Sequence, residues 1–78
     1  MMASLLLIGT LAGQPAMNAD VHLIISNVSY RTHTKRLELP AGTYKACAKL
    51  KDRKARCRTV LVQAGTDSTV AIPLDAKD

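Results

Sequence analysis

The chain predicts an all-β fold, a small antiparallel β-sandwich of about five strands, and three observations carry that expectation. Apolar residues alternate with polar ones in short runs from Val21 onward, the period of a half-buried strand. Gly, Pro, Asn and Asp separate those runs, and no segment holds a helical period. Cys47 and Cys57 stand on neighbouring runs with nine residues between them, which staples one hairpin.

Taken in order, residues 1–19 differ from everything after them. All 11 Lys and Arg and all 6 Asp and Glu lie at or beyond position 20. Residues 5–12 form a short apolar stretch of secretory h-region length, too short for the roughly 20 residues that span a bilayer. Pro15 follows, and the small Ala16 and Ala19 offer cleavage points. The expectation is a signal peptide over 1–19 cleaved after Ala19, then a β-sandwich domain over 20–78. The protein would then be periplasmic or secreted, with no transmembrane segment after processing. The competing use of residues 1–19 is a buried N-terminal strand or helix.

Val21, Leu23 and Ile25 give the next run one strongly apolar face, with His22 and Ile24 on the other. Residues 26–29 form a turn or irregular link. Residues 31–39 alternate weakly, with Leu37 and Leu39 on one side and Arg36 and Glu38 on the other, until Pro40-Ala41-Gly42 reverses the chain. Residues 43–50 and 56–63 are two strands joined by the polar 51–55 link. Ala64-Gly65-Thr66-Asp67 turns into a last strand over 68–74, with Val70, Ile72 and Leu74 on one face. The tail at 76–78 is expected to fray.

The runs Leu37-Glu38-Leu39-Pro40-Ala41-Gly42-Thr43-Tyr44, Thr59-Val60-Leu61-Val62-Gln63-Ala64-Gly65 and Thr69-Val70-Ala71-Ile72-Pro73-Leu74 carry a resemblance. With their Pro-x-Gly-x-Tyr corner, hairpin, strand-and-glycine turn and final apolar strand, residues 37–74 resemble the PEGA and Cna-B group of prealbumin-like modules. That resemblance implies an Ig- or prealbumin-like sandwich. Basic residues replace the group's hairpin aromatics here, the Cys pair is this chain's own, and the strands offer no Asn for an isopeptide bond.

A domain over 20–78 has 59 residues and neither Phe nor Trp, so its core is small. An even Cys count in an exported chain favours a disulfide, and two Cys permit one intramolecular pairing. Closing that loop is worth about 2.5–3 kcal/mol in the chain-entropy model. A redox-active pair would call for a Cys-x-x-Cys spacing or a helix N-terminus, and neither is present. If the two Cys face each other, Tyr44 opposes Val60, Ala46 opposes Arg58 and Ala48 opposes Arg56. Tyr44, Ala46, Ala48, Val60 and Val62 then line the inner face, with Lys45, Lys49 and Thr59 outside beside the disulfide.

The same hairpin concentrates charge. Lys45, Lys49, Lys51, Arg53, Lys54, Arg56 and Arg58 face one acid, Asp52, whereas the whole chain carries a net charge of +5. Such a field attracts anionic partners, here a protein or an anionic envelope polymer. Only Tyr30 and Tyr44 could stack on bases, so nucleic acid is not expected. The sequence shows no nucleophile elbow, glycine-rich phosphate loop or paired carboxylates. His22 and His33 lack a third ligand at metal spacing. Neither enzyme activity nor a cofactor is expected. Asn27-Val28-Ser29 has the N-glycosylation pattern, relevant only to secretion through an endoplasmic reticulum. The expectation is a non-enzymatic accessory or binding module. The alternatives are a structural subunit of a pilus or envelope assembly, or a small secreted inhibitor or immunity protein.

Overall fold

The computed structural model describes residues 2–75, and those residues are all-β. The strands are β1 (Met2–Leu11), β2 (Gln14–Pro15), β3 (Val21–Ile25), β4 (Val28–Tyr30), β5 (Thr34–Pro40), β6 (Gly42–Leu50), β7 (Arg56–Val62) and β8 (Asp67–Pro73). They form two four-stranded sheets. The first centres on β1, flanked by β5 and β8 with β2 folded back on its end; the second runs β4-β3-β6-β7. All ladders are antiparallel except β1–β8, which is parallel. The expected tail at 76–78 lies outside the described residues.

Each inner face follows from the period-two pattern. Leu5 and Leu7 of β1 and Ile72 of β8 meet Val21, Leu23 and Ile25 of β3, and Val60 and Val62 of β7. Ala46 and Ala48 of β6 supply the small positions that let the two layers approach, as interdigitated sheets require. Gly9 serves the same end, because a Cβ there would stand 3.1 Å from Val21 Cγ1 and 3.3 Å from Leu74 Cδ1.

The segment with leader-like composition, residues 1–19, contains β1 and β2. Leu5 and Leu7 are 0% exposed. β1 pairs with β5 from Met2↔Pro40 to Ile8↔Thr34 and with β8 from Ser4↔Asp67 to Thr10↔Pro73. Further bonds tie it to the end of the chain: Leu74 N–H donates to Thr10 O at 2.8 Å, and Ala12 N–H donates to Asp75 Oδ2 at 2.9 Å. The β1–β2 connection is a two-residue turn, Ala12 (φ 52°) and Gly13 (φ 78°). Cleavage after Ala19 would remove the middle of the first sheet and leave β5 and β8 without a paired strand among the described residues.

The 26–29 link is tighter than expected. Ser26 (φ 51°) and Asn27 (φ 63°) alone make the turn, and Val28–Tyr30 is already β4, an edge strand on β3. Positive φ at both central residues fits a type I′ turn, which favours Asn-Gly. Replacing Ser26-Asn27 by Asn-Gly should therefore raise stability by about 0.5–1 kcal/mol in urea melts. No gain would mean that the turn is not held in that conformation.

Candidate functional site

The β6–β7 hairpin has the register that the cysteine pair imposes. Cys47 opposes Cys57, Tyr44 opposes Val60, Ala46 opposes Arg58 and Ala48 opposes Arg56. The two sulfurs are bonded, with the Cα atoms 4.0 Å apart. Ala46, Ala48, Val60 and Val62 are buried, so Lys45, Lys49 and Thr59 share the outer face with the disulfide. At the hairpin's base Tyr44 Oη donates to Pro40 O at 2.6 Å, which ties the Pro-Ala-Gly corner to the strand that follows it. Gly42, at φ 157° in that corner, has Tyr44 Cε2 and Oη 3.8 and 4.0 Å from where a Cβ would stand.

The seven basic residues occupy three places. Lys45 and Lys49 stand on the outer face of β6. Lys51, Arg53 and Lys54 are exposed at the tip, whose turn is fixed by Asp52 (φ 65°) and by Lys51 N–H donating to Asp20 O at 3.0 Å. Arg56 and Arg58 lie on the inner-face register of β7. Arg56 is half-buried beside Leu50 and Leu74, and Arg58 Nη1 donates to Ala71 O of β8 at 3.1 Å. These two therefore bind the open side of the sandwich as well as adding charge.

Among the described residues the ion-pair contacts are those of Asp20, with His22 Nε2 and Arg31 Nε, each at 3.4 Å. Lys45, Lys49, Lys51, Arg53 and Lys54 have no ion-pair contact among those residues.

The fold also brings in residues from outside the hairpin. Register places Ile24 of β3 opposite Cys47 and His22 opposite Lys49, with Ser29 of β4 beyond Ile24. Together they line a hollow of about 350 Å³ with Lys49, Lys51 and Asp52. Sequence reasoning passed over Ile24 as a contact residue. The available signal was an apolar side chain on the polar face of an alternating strand. Leu61, 65% exposed on β7, is a second apolar side chain outside the core.

His33 is half-buried, with Nδ1 2.6 Å from Thr34 Oγ1, and lines a hollow with Asp20, Arg31 and Thr32. Tyr30 packs against the core, and Lys35 Nζ stands 5.2 Å above its ring. No group of three or more His, Cys, Asp and Glu that could hold a metal occurs among the described residues. Nor is any helix among them long and apolar enough to cross a membrane. No protein-family model matches the chain, and no curated protein is similar to it.

Proposed function

We propose that the domain is a non-enzymatic binding module of an oxidising compartment, the periplasm or the cell exterior, that takes an anionic partner on its basic hairpin. The carrying observation is that the exposed Lys45, Lys49, Lys51, Arg53 and Lys54, on β6 and the hairpin tip, make no ion pair among the described residues. Their repulsion brings the fold no benefit, and a second molecule's negative charge would relieve it. The hairpin is also the one element that the disulfide holds, which presents the charges on a fixed scaffold. Thiol-reducing compartments do not keep such a bond, and this supports the extracytoplasmic setting. Residues 1–19 belong to the domain in this reading, as β1 and β2. The prealbumin-like resemblance of residues 37–74 agrees with a surface module.

Changing Lys51, Arg53 and Lys54 to Glu tests the assignment, because it reverses the tip without touching a buried side chain. Stability should change by no more than about 1 kcal/mol. Binding to the partner recovered from envelope extract should fall at least about tenfold, and the parent's affinity should drop steeply with salt. A charge-reversed protein that folds and binds at parental strength sinks the proposal.

A further inference from the structure

The outer face of the second sheet carries a pattern finer than net charge. Lys45, Cys47 and Lys49 occupy alternate positions of β6, with Ile24 opposite Cys47. At about 3.4 Å per residue, neighbouring side chains on this face repeat every 7 Å or so, and the two lysines stand about 14 Å apart. The hollow holding His22, Lys49 and Lys51 shares Ile24 with a second one, also about 350 Å³, that runs past Cys47 to Lys45 and Tyr44. The two make a groove along β3 and β6 with an apolar floor at its middle and a lysine toward each end.

Resting on the anionic-partner reading, we propose that this groove binds an extended acidic peptide of the pattern acid-x-apolar-x-acid. The match is one of period and charge. An extended chain puts alternate side chains on one face at the same spacing of about 7 Å. Its central apolar side chain then meets Ile24 and the disulfide while the flanking carboxylates meet Lys45 and Lys49. Lys51 and the Ser29 hydroxyl extend the acidic end. Asp52, the acid on the rim, disfavours a further carboxylate there and so limits the length of the motif. A phosphate polymer has no apolar group to place on Ile24.

The experiment uses the full chain, isotope-labelled, and two synthetic peptides of identical composition. In one, two Asp flank a central Leu with a single Gly between each; in the other the two Asp are adjacent. The spaced peptide should shift the Ile24 methyl signals and the amides of Lys45 and Lys49, and bind several-fold more tightly than its control. Lys45→Glu with Lys49→Glu should weaken it about tenfold or more, whereas Arg53→Glu with Lys54→Glu should change it less than about threefold. Ile24→Ala, which keeps the fold and all charges, should also weaken it. Equal binding of the two peptides, or no binding of either, overturns the proposal. So does a stronger shift of the same methyls by polygalacturonate, which would make the occupant a polysaccharide. In that case and in the equal-binding case the anionic-partner reading stands; it fails separately, when reversing the tip leaves the natural partner bound.

Discussion

A chain that begins at Asp20 is expected to be unfolded under conditions in which the full chain is folded. Among the described residues β5 and β8 pair with β1 and with no other strand, so losing it strands both at once. Leu5 and Leu7, fully buried, and Ala3 leave with it. Truncating one buried leucine to alanine typically costs 2–5 kcal/mol, roughly the scale of a small domain's whole stability of about 4–12 kcal/mol. Circular dichroism and a urea titration check this: the shortened chain should show no cooperative transition. A cooperative transition near that of the full chain would mean that β1 is dispensable. Gly9→Val supplies an independent check that keeps the whole sequence. Its added atoms meet Val21 and Leu74 at 3.1–3.3 Å already from the Cβ, and overpacking of this kind costs about 1–3 kcal/mol.

Removing the disulfide should have the next largest effect. Cys47→Ser with Cys57→Ser opens a bridge spanning 10 residues, whose closure is worth about 2.5–3 kcal/mol in the chain-entropy model. Cys47 is only 9% exposed, so the double variant also places a serine hydroxyl where a buried disulfide sulfur stood. A loss of about 2–4 kcal/mol is expected, which in a domain of this size lowers Tm by roughly 10–20 °C. Calorimetry of the double variant, or of the parent with reductant, measures it. Because β6 and β7 keep their other pairings, the reduced protein should still fold at low temperature, with the hairpin tip exchanging faster. A double variant melting with the parent would make the bond incidental.

Most of the second sheet is legible in the sequence because there one face is apolar and the other polar. Val21, Leu23 and Ile25 against His22 define β3, and the cysteine pair alone fixes the β6–β7 register down to Tyr44↔Val60. β1 resists the same reasoning for a physical reason. Leu5 and Leu7 point inward, but Leu6 and Ile8 on the other face are apolar too, so the period of two vanishes into a continuous run. An apolar run without charge followed by small residues also has the composition of a leader. What distinguishes the strand is the Ala12-Gly13 turn, which suits positive φ and returns the chain on itself. The parallel β1–β8 ladder could not be foreseen, since side-chain alternation is blind to strand direction. At the candidate site, the positions of the lysines followed from parity. The groove did not, because it needs β4 at Ser29, and the link read over 26–29 hid that strand.

The intact mass of the protein purified from its own cells without reductant tests the central claim most directly, that β1 and the Cys47–Cys57 bridge are both part of the working domain. The account predicts a chain that contains residues 2–11 and lacks the two thiol hydrogens. A mature chain starting at Asp20, or one carrying both free thiols, would contradict it.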